Sequence, residues 1–163
     1  MKRIIFHWTA GTNKVSEEDK LHYHYIIAGD GTIVPGKYKV LDNMSVADGK
    51  YAAHTLNCNK DSIGVSLAGM YNAVQEPFNA GKYPINQTQW KVLVKFIAKL
   101  AKDWQIPVTP KTILSHAEVQ GTLGIKQKQK WDISRLPWDK TVVGATAVGN
   151  LLRKQVALTM EKM

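Results

Sequence analysis

At 163 residues and 44% hydrophobic content, the chain suits one domain around a single core. Its 22 basic residues against 13 acidic ones leave a formal charge of +9, which calls for an anionic partner such as nucleic acid, an anionic membrane or an acidic polymer. No apolar run reaches the roughly 20 residues that span a bilayer, and a single cysteine, Cys58, excludes an internal disulfide framework and fits synthesis in a reducing compartment.

Lys2 to Trp8 reads as a strand, its continuous run Ile4-Ile5-Phe6 being the pattern of a centrally buried one. His7 near its end breaks the apolar run of MKRIIFHWTAG, which makes a poor signal peptide and predicts a protein made in the cytoplasm without one. Standing alone, His7 would read as a satisfied core histidine. Ser16-Glu17-Glu18-Asp19 has the capping hydroxyl and first-turn acids of a helix start. Leu21 to Ile27 reads as a strand and pairs across Gly29-Asp30-Gly31 with Thr32-Ile33-Val34, a hairpin ended by Pro35-Gly36. Strand alternation would set Tyr23 and Tyr25 opposite His22 and His24.

Residues 37 to 61 lack periodicity and predict a long functional loop. It carries His54 and Cys58, four positions apart, a spacing that also occurs in zinc sites. Ser62 to Gly69 is a marked strand whose glycines suggest close backbone approach. Asn86 and Gln89 form a capping-box start for a helix that runs to about Trp104. Its stripe Trp90, Leu93, Ile97, Leu100 and Trp104 is core packing, while Lys91, Lys95, Lys99 and Lys102 face solvent. Thr112 to Ser115 is a strand that delivers His116. A Gly-containing loop with Lys126, Lys128 and Lys130 then leads to Trp131-Asp132. Thr141 to Met163 predicts a C-terminal helix, either docked on the domain or acting as a cationic amphipathic tail; Gly144 and Gly149 weaken it as a free-standing helix. The aromatics occupy core positions rather than alternating with the lysines, which argues against nucleic acid.

A histidine at a strand end and an aspartate sixteen positions later can meet across one loop. A second histidine would complete three zinc ligands with one open position, the catalytic rather than structural arrangement. His7 also stands near a strand end, and Asp139 is the nearest rival acid to Asp132. Glu118 is read as a structural acid.

The segments IIFHWTAG, YHYIIAGDGTIV, AAHTLNCNKDSIGVSLAG and ILSHAEV…KWD, in this order, resemble the motifs of the type 2 zinc-dependent N-acetylmuramoyl-L-alanine amidases. That family includes the amidase-type phage lysozymes and the peptidoglycan-recognition proteins, and the resemblance covers about residues 2 to 139. It implies an α/β fold, a central mixed β-sheet flanked by helices with a zinc cleft at the strand ends. A catalytic domain over 1–140 would be followed by a C-terminal helix over 141–163, docked on the same domain. It implies His7, His116 and Asp132 as ligands of Zn2+, Tyr23 and Lys130 as catalytic residues, and His54 and Ser62 in the substrate groove. One departure stands out: Ile133-Ser134 follows Asp132 where the family commonly has Pro-Gly.

The implied reaction is hydrolysis of the amide between N-acetylmuramic acid and L-alanine in bacterial peptidoglycan. Zinc would bring the pKa of a water toward neutrality, Lys130 would stabilise the oxyanion, and Tyr23, a poor base at its ordinary pKa near 10, would position the reacting groups. The expected biological role is that of a phage or prophage endolysin acting on the wall after release. The alternatives are a recycling amidase for soluble muropeptides and a non-catalytic peptidoglycan-binding module. The basic residues and the C-terminal helix would engage an anionic envelope surface; no nucleic acid partner is expected, and the protein is expected to be a monomer.

Overall fold

The computed structural model describes all 163 residues. In chain order the elements are β1 (Arg3–Trp8), α1 (Glu17–His22), β2 (Tyr25–Ile27), β3 (Ile33–Pro35), β4 (Ser62–Leu67), α2 (Gln87–Asp103), β5 (Ile113–Ser115), α3 (His116–Leu123), β6 (Arg135–Leu136), β7 (Asp139–Val143) and α4 (Ala145–Glu161). Five strands make one mixed sheet in the order β3-β2-β4-β1-β5. β1 runs parallel to both β4 and β5, β2 runs parallel to β4, and only the edge strand β3 is antiparallel. No helix is long and apolar enough to cross a membrane.

Alternation along β1 separates two unequal cores. Ile4, Phe6 and Trp8 join Ile63, Val65, Leu67 and Ile113 in the main core, which α2 and α4 cover. Ile5 points the other way, into a small cluster with Leu114, Val119 and Cys58. His7 is two residues beyond Ile5 and so emerges on this thinner side. The helical stripe of α2 behaves as its periodicity predicts: Trp90, Leu93, Ile97 and Leu100 are buried, and its lysines face solvent. Asn86 and Gln89 form the reciprocal capping box, with Gln89 N–H donating to Asn86 Oδ1 at 2.9 Å and Asn86 N–H to Gln89 Oε1 at 3.0 Å.

Four stretches depart from the sequence expectation. Leu21 and His22 belong to α1 and not to a strand, because the Ser16–Asp19 capping box carries the helix through them before β2 begins at Tyr25. The loop over 37–61 contains a short 3-10 turn, Val40–Met44. Residues after His116 fold as α3, since Ser115 N–H donates to the Glu118 carboxylate at 3.0 Å and so starts a helix directly at the strand end. Residues 139 to 143 form the second strand of a small hairpin, and α4 starts only after Gly144.

α4 packs into the main core through Val148, Leu152 and Val156, all fully enclosed. On its other side Arg153 is buried and donates twice to Glu118, at 3.1 and 2.9 Å, and once to the carbonyl of Ile113 at 2.9 Å. Glu118 is therefore structural, bracing the β5–α3 junction that presents His116. Gly149 makes this approach possible, because a Cβ there would lie 2.1 Å from Glu118 Oε1.

Three such apolar side chains contribute on the order of 5 kcal/mol, comparable to the net stability of a whole domain. We accordingly expect a chain stopped after Gly144 to be insoluble or unfolded, where an independent tail would leave a soluble, active protein. Gly149→Ala should gain about 1 kcal/mol in helix propensity yet displace one member of a buried ion pair, for a net loss of about 2 kcal/mol or more. Denaturant unfolding gives the sign.

Candidate metal centre and substrate cleft

His7 is delivered by β1, and His116 by the junction of β5 with α3. Asp132 returns to them because its carbonyl accepts the Ala117 N–H at 2.7 Å, which folds the lysine loop back against the start of α3. All three side chains are buried. His7 Nδ1 lies 3.1 Å from His116 Nδ1 and 3.2 Å from Asp132 Oδ2, and His116 Nδ1 lies 3.4 Å from Asp132 Oδ1. Ligand atoms around a tetrahedral zinc, at bond lengths of about 2.0 to 2.1 Å, stand roughly 3.3 to 3.4 Å apart. The three donors match that spacing, and they form the one group of three or more His, Cys, Asp or Glu side chains close enough to hold a metal ion.

The protons on the two imidazoles follow from their outer neighbours. The Ser62 carbonyl, 3.2 Å from His54 Nε2, can only accept, so His54 carries its proton on Nε2, and its bare Nδ1 faces both the Thr55 hydroxyl at 2.8 Å and His7 Nε2–H at 3.2 Å. The Gln127 amide nitrogen faces the Leu56 carbonyl at 2.8 Å, which turns its oxygen to His116 Nε2–H at 2.9 Å. Both histidines are thus protonated on Nε2, and their bare Nδ1 atoms converge on a carboxylate. Burial lowers the pKa of His7 to about 4. Three unprotonated donors so close together repel one another unless a cation sits between them. The donor set, two neutral imidazoles and a carboxylate, fits Zn2+.

Above the cluster opens a cavity of about 630 Å³ lined by Tyr23, His54, Lys128, Lys130 and Trp131, with His116 and Asp132 at its floor. The Tyr23 ring is 5.2 Å from that of His7, and burial followed by the Asp132 charge pushes its phenol well above the usual range, so it stays protonated. Trp131 stacks edge-on against Trp8 with ring centroids 4.7 Å apart. His54 belongs to the cavity wall but is also the hydrogen-bond partner of His7. Its ring fits only because residue 64 is glycine, where a Cβ would come within 2.5 Å of it. Ser62 does not line the cavity; its hydroxyl accepts from Arg3 at 3.1 Å and donates to the Lys60 carbonyl at 3.2 Å. Asp139 lies away on β7, bonded to Thr141, and Cys58 packs in the small core rather than beside a metal.

The sequence matches the N-acetylmuramoyl-L-alanine amidase family over residues 1–134. The chain belongs to this amidase family. Among solved structures, PlyL resembles the amidase with a TM-score of 0.52 at 14% identity, over 95% of this chain and 82% of that one. The Ph2119 endolysin from Thermus scotoductus MAT2119 bacteriophage Ph2119 gives a TM-score of 0.51 at 17% identity, over 94% of this chain and 83% of that one. At such identities the likeness speaks for the fold. No curated protein sequence matches the chain.

Two residues of the amidase's site were not singled out from sequence. Gln127 sits in a K-Q-K-Q-K run with nothing to distinguish it from its neighbours. His24 lies behind His54, ring centroids 5.8 Å apart, with Nδ1 accepting the Gly64 N–H and Nε2–H donating to Asn43 Oδ1, both at 2.9 Å. This locks His24 neutral, and burial lowers its pKa to about 4 from 6.5. Between these values the unfolded chain binds more protons than the folded one. The contribution of His24 is therefore whole above pH 6.5 and lost as pH falls toward 4, amounting to about 3 kcal/mol. Unfolding at pH 7.5, 6 and 4.5 should show this slope, and His24→Gln should flatten it by about one proton while lowering stability at pH 7.5. An unchanged slope would remove His24 from the account.

Proposed function

We propose that the chain is a zinc-dependent amidase that cleaves the bond between N-acetylmuramic acid and L-alanine in peptidoglycan, and that it works as a phage or prophage endolysin reaching the wall after release. The observation that carries this reading is the convergence of His7, His116 and Asp132 with their protons held on the far side. These three residues would hold Zn2+, which when bound supplies a Lewis acid for the amide carbonyl and lowers the pKa of the attacking water.

The remaining roles follow from charge and protonation. Lys130, on the cavity wall near enough for its charge to be felt at His7, donates to the carbonyl oxygen as negative charge develops there. Tyr23 serves as a hydrogen-bond donor that positions the reacting groups, a phenol with an ordinary pKa near 10 being a poor base at neutral pH. Trp131 and Trp8 present an apolar wall beside the polar floor. Glu118 takes no part in proton transfer, its carboxylate being committed to Arg153 and Ser115. The net charge of +9, with exposed lysines along α2, draws the protein to an anionic envelope in a salt-dependent way.

His7→Ala and His116→Ala should each lose both zinc and activity; either one retaining both would end the assignment. Lys130→Ala should keep zinc and lower kcat about 100- to 1000-fold, the range seen when one oxyanion donor is removed. Loss of metal in this variant would make Lys130 structural instead. Activity on intact sacculi with little on small soluble muropeptides is expected for the endolysin role, and the opposite preference would indicate a recycling enzyme.

A further inference from the structure

Glutamine on an exposed basic loop ordinarily rotates freely in water, yet Gln127 is engaged at every polar atom of its side chain. Its Oε1 accepts from His116 Nε2 at 2.9 Å. Its Nε2 donates to the carbonyl of Leu56 at 2.8 Å and approaches that of Ile125 at 3.5 Å. Its backbone N–H donates to Gln120 Oε1 on α3 at 2.9 Å. The first two contacts join separate segments of the cleft lining, His116 with the lysine loop and the segment carrying Leu56. The two carbonyls also decide the amide's orientation, since neither can face an oxygen. His116 Nε2 must then carry a proton, so in the neutral ring Nδ1 is the bare nitrogen that faces Asp132.

We propose that Gln127 is a positioning residue that fixes the tautomer and ring orientation of His116 and, through the same amide, sets the spacing between the Lys128–Lys130 wall and the Leu56 wall of the cleft. It does for His116 what His54 does for His7. The proposal rests on the reading of His7, His116 and Asp132 as a zinc site. An outer partner of this kind typically accounts for 10- to 100-fold in metal affinity. The two jobs are chemically separable. A glutamate at this position would still accept from His116 Nε2–H, but it has no N–H to give to Leu56 and would be repelled by both carbonyls.

The test compares the full-length wild type, Gln127→Ala, Gln127→Glu and His116→Ala after metal removal. Zinc affinity is measured by chelator competition, cobalt binding by its visible absorption, and KM and kcat on sacculi. Gln127→Ala should bind zinc about 10- to 100-fold more weakly with an altered cobalt spectrum, while its metal-free form unfolds at the wild-type temperature. Gln127→Glu should restore zinc affinity to within a few-fold of wild type and keep a raised KM. Wild-type zinc affinity and cobalt spectrum in Gln127→Ala, with His116→Ala having lost zinc, would overturn the proposal and leave the zinc site standing. Failure of Gln127→Glu to recover affinity would overturn the tautomer argument. Undiminished zinc binding in His116→Ala would overturn the zinc site and this proposal with it.

Discussion

Two backbone carbonyls, those of Ser62 and Leu56, govern the protonation of the centre without touching it. Each can only accept a hydrogen bond, and each passes that constraint inward through one side chain, His54 or Gln127, to the remote nitrogen of a ligand histidine. The near nitrogens are left bare and aimed at one carboxylate. In a buried setting this is an unfavourable arrangement of like partial charges, and it becomes favourable only around a cation. The site is thus prepared for a metal by the backbone as much as by the three ligands.

The fold serves that arrangement by making the two faces of its sheet unequal. Alternation along β1 sends Ile4, Phe6 and Trp8 into the large core and leaves His7 on a face covered by little more than α3 and the loop carrying His54. Parallel pairing of β1 with β5 brings the C-terminal ends of both strands to the same edge, so His7 and His116 meet although they are 109 positions apart in sequence. The Glu118–Arg153 pair then ties this edge to α4. A buried ion pair is seldom a net gain over apolar packing, but here it holds the helix whose first residue is His116.

Much of this was legible in the sequence. The apolar run before His7, the stripe of α2 and its Asn86–Gln89 cap all carry local signals strong enough to survive tertiary context. The two histidines and Asp132 were readable as a set through the family motifs in which they stand, since residue type alone leaves other histidines and acids eligible. What escaped was of two kinds, local caps masked by their surroundings and partners far away in the chain. Leu21 and His22 have strand-like neighbours, yet the cap at Ser16 outweighs them. Ser115 and Glu118 do spell a capping box, but it begins inside a strand and is masked by the glycines that follow. Gln127 gains its importance from standing between His116 and a carbonyl 71 positions away, and no composition or spacing rule reports such partners. Ser62 was legible as part of a motif, whereas the direction of its side chain, away from the cleft and toward Arg3, was not.

The central claim is that His7, His116 and Asp132 hold one zinc ion that the chain uses to open the muramoyl–L-alanine amide. It is tested most directly by measuring, on one purified preparation of the full chain, the bound zinc per molecule and the appearance of new L-alanine amino termini in purified sacculi. The account predicts close to one zinc per chain, release of L-alanine termini without new reducing sugar ends, and loss of that release on metal removal with recovery on adding zinc back. A chain that carries no zinc yet releases these termini at full rate, or one that holds zinc and releases none, would contradict it.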